Sequence, residues 1–125
     1  MTNLTPKPLM ILIAGPYRSG TGDDPERIAA NLRAMNQAAL QVYRAGHIPV
    51  VGEWFALPLV ETAGSTQLGD AIFNQIFHPI AWAVAHRCDA CFRLPGASQG
   101  ADDMVRLAES LNQPVFYRAE DIPPR

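Results

Sequence analysis

Met10-Ile11-Leu12-Ile13-Ala14-Gly15-Pro16-Tyr17-Arg18-Ser19-Gly20-Thr21-Gly22 is the stretch on which the reading of this chain turns. An apolar, partly β-branched run stops abruptly at Gly15-Pro16. The loop after it holds an aromatic ring, an arginine, two hydroxyls and two more glycines before any helical pattern begins. That is a buried strand feeding a polar loop. In an open α/β sheet, ligands bind in the crevice beyond the carboxyl ends of the strands, where loops and helix N-termini converge. The loop is therefore expected to floor a ligand site.

Working outward, Asp23-Asp24-Pro25-Glu26 has the marks of a helix start: an Asx cap, proline in the first turn and an acid near the positive end of the helix dipole. Ile28, Leu32, Met35, Ala39, Val42 and Tyr43 recur at helical spacing, so the helix is expected from residue 25 to about 45, with Gly46 just past its end. His47-Ile48-Pro49-Val50-Val51 reads as a second strand, and strand, helix and strand form a parallel βαβ unit. From 52 to about 68 the pattern loosens, and Pro58, Gly64, Ser65 and Gly69 suggest a loop with at most one short helical piece. Residues 70 to 86 return to helical spacing, with Pro79 expected to break or kink the helix. A third strand is expected over 90–94, a turn at Pro95-Gly96-Ala97-Ser98-Gln99-Gly100, a helix from about 101 to 111 and a last strand over 114–117. Four short strands alternating with helical regions argue for an α/β fold, a flavodoxin-like doubly wound parallel sheet of four or five strands. One domain spans residues 1–125, with 1–8 and 119–125 expected to be loosely ordered.

Composition agrees with one globular domain. The chain has 125 residues, 48% of them hydrophobic, which suffices for one core and not for two. Charged residues make up 18% and the formal net charge is −2, so no basic footprint favours nucleic acid or an anionic membrane. No stretch approaches the roughly 18 apolar residues of a membrane span, and the N-terminus lacks a signal pattern, so a soluble cytoplasmic protein is expected. Cys88 and Cys91 have C-x-x-C spacing without a second ligand pair, and are read as ordinary thiols. His47, His78 and His86 show no metal-site spacing and are read as structural or exposed. No metal or cofactor is expected.

Several groups are candidates for chemistry. Gly15-Pro16-Tyr17-Arg18-Ser19-Gly20 is neither a dinucleotide fingerprint nor a Walker loop. At a strand's carboxyl end, however, Arg18 is placed to clamp a phosphate and Tyr17 to stack on or hydrogen-bond a sugar or base. Ser98 and Gly100 precede a helix N-terminus, a natural anion cradle or simply a cap. Asp102 and Asp103 fit both catalysis and a favourable place at the helix dipole. Glu53, just past a strand, is better placed for function than a surface glutamate, although Trp54 and Phe55 beside it suit a subunit contact. Phe73, Phe77 and Trp82 add to an aromatic central region expected to contribute to an interface.

Ile11-Leu12-Ile13-Ala14-Gly15-Pro16-Tyr17-Arg18, Ala45-Gly46-His47-Ile48-Pro49-Val50, Cys88-Asp89-Ala90, Leu94 to Ala101 and Asn112-Gln113-Pro114-Val115 occur in an order and separation that resemble the nucleoside 2-deoxyribosyltransferase-like superfamily. The resemblance is to its small bacterial and phage members, relatives of the deoxynucleoside monophosphate N-glycosidases. It implies a flavodoxin-like fold, cleavage of the N-glycosidic bond of a (deoxy)nucleoside or its 5′-monophosphate by hydrolysis or deoxyribosyl transfer, and a homo-oligomer, dimer or tetramer, with sites near the subunit interface. It also implies sugar and phosphate contacts from Gly15, Tyr17, Arg18, Ser98 and Gly100. A glutamate nucleophile is implied four residues after Gly100, where this chain has Met104, and a second carboxylate near Ala81. With neither present, Asp103, Asp102 and Glu53 are the candidate catalytic carboxylates. The alternative is a non-catalytic binder or sensor of a nucleotide-derived ligand. Pro95-Gly96 bears a fainter likeness to the Pro-Gly-Gly loop of phosphoribohydrolases.

Overall fold

A computed structural model describes residues 7–125 and shows an α/β fold with a parallel sheet of four strands in the order β2-β1-β3-β4. The strands are β1 (Met10–Ala14), β2 (Ile48–Val51), β3 (Ala90–Arg93) and β4 (Val115–Phe116), and the helices are α1 (Pro25–Arg44), α2 (Gly52–Thr62), α3 (Ala71–His86) and α4 (Gln99–Ser110). That strand order, with helices on both faces, is the flavodoxin-like arrangement. Of the N-terminal stretch expected to be loosely ordered, residues 1–6 lie outside the described residues.

β1 is central, and successive side chains serve opposite faces of the sheet. Ile11 and Ile13 join Met35, Ala38, Ala39 and Val42 of α1, together with Val51, Ala90 and Phe92, in one core cluster. Leu12 turns the other way, towards Ala85 of α3 and Leu107 of α4, and Ala14 packs with Cys91, Ala101 and Ala108. Both faces of β1 are thus covered, which is why the strand is apolar throughout rather than alternating. Cys88 and Cys91 are buried free thiols whose pKa values burial pushes up to about 11 and about 12, so neither carries thiolate character at neutral pH.

α1 begins as its sequence requires. Asp24 caps it by accepting the Glu26 backbone N–H at 3.2 Å, and Pro25 occupies the first turn. The region after β2 differs from expectation. Gly52 opens α2 directly from the strand, and the helix continues through Pro58 to Thr62. α3 likewise runs unbroken through Pro79. Each proline removes a donor to the carbonyl four residues earlier, on Trp54 and Gln75. Pro58, Trp54, Pro79 and Gln75 are all exposed residues, on the side of each helix where solvent can satisfy a freed carbonyl.

The C-terminal segment, expected to fray, is tied down. Ile122 is buried in the α1 core cluster and the Arg125 backbone N–H donates to Ala45 O at 2.8 Å. His47, itself buried, bridges both ends of the chain: its Nδ1 accepts the Leu9 backbone N–H at 3.0 Å, and its Nε2 lies 2.6 Å from Pro123 O. That pairing requires the proton on Nε2 and a neutral ring. No helix among the described residues is long and apolar enough to cross a membrane.

Candidate functional site

β1 leads into a helix on one face of the sheet and β3 into a helix on the other, so the loops after them diverge at the carboxyl edge and leave a crevice. The crevice holds a recess of about 720 Å³ open to solvent. Leu12, Ile13, Ala14 and Gly15 form its floor, Tyr17, Arg18 and Ser19 one rim, and Gly52 and Glu53 the first turn of α2. Phe73, Phe77, His78 and Ala81 of α3 make a wall; Ser98, Gly100, Ala101 and Met104, from the start of α4, close the site.

The two loops meet at Pro16 and Gly96. Gly96 has φ +111°, and a Cβ there would come within 2.9 Å of Pro16 Cγ, so both the backbone conformation and the close approach exclude a side chain. Arg93 braces the second loop from below, donating through Nη2 to Gly96 O at 3.0 Å and to Asp102 Oδ1 at 2.9 Å, and through Nη1 to Leu94 O. The first loop is anchored to α1 by Asn31 Nδ2, which donates to Tyr17 O at 2.9 Å. Ser98 caps α4, its Oγ accepting the Ala101 N–H at 3.1 Å.

Electrostatically the recess is dominated by Glu53. Burial raises its pKa to about 7, so at neutral pH the carboxyl is divided between its two protonation states. Burial, and then the negative charge of Glu53, also raise the pKa of Tyr17. The Tyr17 ring stacks on Phe77 at 5.8 Å between centroids, and Phe77 on Phe73 at 4.7 Å, while His78 meets Phe77 edge-on. Stacked aromatic rings therefore line the same recess as a carboxyl group that titrates near neutrality.

Of the residues singled out in the sequence, Gly15, Tyr17, Arg18, Glu53, Ser98 and Gly100 are gathered around this one recess. Asp102 and Asp103 are not among its lining residues. Asp102 pairs with Arg93; Asp103 accepts from Gln99 Nε2 at 3.0 Å and pairs with Arg106, and these partners hold its carboxyl below the usual range. Met104 and Ala81, where the resemblance implies carboxylates, both line the recess with apolar atoms. Sequence reasoning missed His78, and it assigned Phe73 and Phe77 to an interface. The available signal was the spacing of Phe73, Phe77 and Ala81, four residues apart, which puts all three on one helix face.

No protein-family profile matches the chain, and no curated protein matches it in sequence. Among solved structures it is similar to the 2-deoxyribosyltransferase of the psychrotolerant bacterium Bacillus psychrosaccharolyticus, a biocatalyst for the synthesis of antiviral and antitumoral nucleosides. The TM-score is 0.60 at 16% identity, over 85% of this chain and 69% of that one. At that identity the likeness is one of fold.

Proposed function

We propose that this protein is a nucleoside-processing enzyme that cleaves the N-glycosidic bond of a (deoxy)nucleoside or its 5′-monophosphate, by hydrolysis or deoxyribosyl transfer, with Glu53 supplying the reacting carboxylate. The observation that carries this reading is the position of Glu53. Among the described residues lining the recess it is the sole carboxylate, and it sits at the carboxyl edge of the sheet in a recess that also holds stacked aromatic rings suited to a base. The shared fold with a 2-deoxyribosyltransferase supports it.

Cleavage at the anomeric carbon passes through an oxocarbenium-like state that a nearby carboxylate stabilises, either by attacking C1′ or by deprotonating the water that does. In either case the C1′–N bond breaks with its electron pair going to the base, which takes its proton from water, or from Glu53 once that carboxylate has accepted one from the attacking water. Both routes use the ionised form, so activity is expected to rise with pH through about 7. Incubating purified protein with deoxynucleosides and their 5′-monophosphates is expected to release free base, and Glu53→Gln to reduce release by about a hundredfold or more.

Met104 and Ala81 favour a second reading, a binder that lacks the nucleophile the resemblance implies. Under that reading nucleosides raise the melting temperature and no base appears. We further propose a homo-oligomer. Trp54, Phe55 and Leu59 on α2 and Trp82 on α3 are exposed, a surface that a second copy would cover. Sedimentation is expected to give a dimer or tetramer; a monomer would refute it.

A further inference from the structure

We propose that Arg93 and Asp102 are positioning residues for the recess: one guanidinium, outside the site itself, sets the second loop and the start of α4, and through them the first loop as well. The role assigned to the pair rests on reading the recess as a nucleoside site. Neither residue is among the described lining residues, so both act through others.

Alternation along β3 puts Arg93 on the same face as Cys91, which packs with Ala101 and Ala108 of α4. The arginine therefore lies under the turn that joins strand to helix, its side chain only 11% exposed. Nη1 donates to Leu94 O, and Nη2 donates both to Gly96 O at 3.0 Å and to Asp102 Oδ1 at 2.9 Å. One side chain thus fixes two points of the loop and one of the helix. A planar fork of donors can span three such acceptors, which the point charge of a lysine cannot. Asp102 in turn gives the half-sequestered guanidinium its counter-charge, and without it that charge stays unpaired.

The braced loop passes its position on in two directions. Towards the first loop, the Leu94 side chain packs so closely on Gly15 that a Cβ there would lie 3.2 Å from Leu94 Cβ, and Gly96 meets Pro16. A displaced second loop would therefore carry Gly15 and Pro16 with it, next to Tyr17 and Arg18 in the recess. Towards α4, Asp102 stands in the first turn of the helix whose Gly100, Ala101 and Met104 close the site. Glu53 arrives by a separate route, on the first turn of α2 directly after β2. The pair thus governs where a ligand sits against the two loops and leaves the titration of Glu53 alone. Arg106 offers a contrast, since its pair with Asp103, three residues away, stays within α4.

Steady-state base release from deoxynucleosides and amide hydrogen exchange, both on the full chain, test this. Arg93→Met keeps an apolar stem and removes the donors. Asp102→Ala removes the exposed partner, and carries the test if Arg93→Met does not fold. Each is expected to raise KM about tenfold, with kcat within about threefold of native and the pH midpoint still near 7, and to speed exchange at residues 94–101 and 15–19 but not at the centre of α1. Asp102→Asn, whose amide oxygen still accepts, is expected to recover most of the native KM, and Arg106→Ala to move neither readout. A native KM in Asp102→Ala, a loss confined to kcat, or exchange that quickens evenly over the whole chain overturns the proposal and leaves the nucleoside reading intact. A native protein that releases no base overturns the nucleoside reading, and exchange at the two loops then decides the brace alone.

Discussion

Glu53 is the residue on which the functional reading depends, and its burial has a consequence for stability as well as chemistry. Its carboxyl titrates near 4.5 when solvated and at about 7 in the folded chain. Between those values the folded state holds a proton that the unfolded state has released. Its contribution to stability is therefore fully present below the lower value and is lost as pH rises through the upper one. Glu53→Gln is expected to flatten this dependence and to gain on the order of 2–3 kcal/mol relative to native protein above the window, as measured by denaturant unfolding on either side of it. An unchanged pH profile would mean that the carboxyl is solvated. Its position just after an apolar strand made Glu53 legible in the sequence. Asp102 and Asp103 drew attention for their nearness to Gly100, but the arginines that claim them stand nine residues before Asp102 and three after Asp103, and only the fold brings the first of those into contact. His78 carries no local pattern that marks it; its place in the recess comes from the packing of α3 across the sheet edge.

At the scale of elements, the strands, α1 and the start of α4 follow closely from apolar runs, caps and glycines. α2 and the unbroken course of α3 do not, because Pro58 and Pro79 read as breakers and their tolerance depends on which carbonyls face water. That matters for the site, since α2 carries Glu53 into the recess on its first turn. α4 offers a separate test. A Cβ built on Gly100 meets nothing within 4 Å, and its backbone is helical. Gly100→Ala is therefore expected to leave the fold intact and to stabilise it by up to about 1 kcal/mol through helix propensity. Because the residue lines the recess, the same substitution is expected to weaken ligand binding. A variant that gains stability and loses no affinity would place the ligand away from the start of α4.

Taken whole, the molecule is a sheet covered on both sides and closed at its amino edge by its own C-terminal tail. As a chain terminus that tail is expected to fray, yet Ile122 is buried in the core cluster that holds Ile11 and Val42, and His47 holds the Pro123 carbonyl. No local signal announces such a contact, which joins residues far apart in the chain. Ile122→Ala is expected to cost about 2–5 kcal/mol, read from denaturant unfolding, and a negligible loss would show the tail to be undocked in solution.

Whether a carboxylate acts here at a glycosidic bond is decided by chromatographic detection of free base after incubating deoxynucleosides and their 5′-monophosphates with native protein and with Glu53→Gln. Base release by the native protein is expected to rise with pH through about 7 and to fall by about a hundredfold or more in the variant. Absence of release from every compound, or release that survives Glu53→Gln, would contradict that role of Glu53.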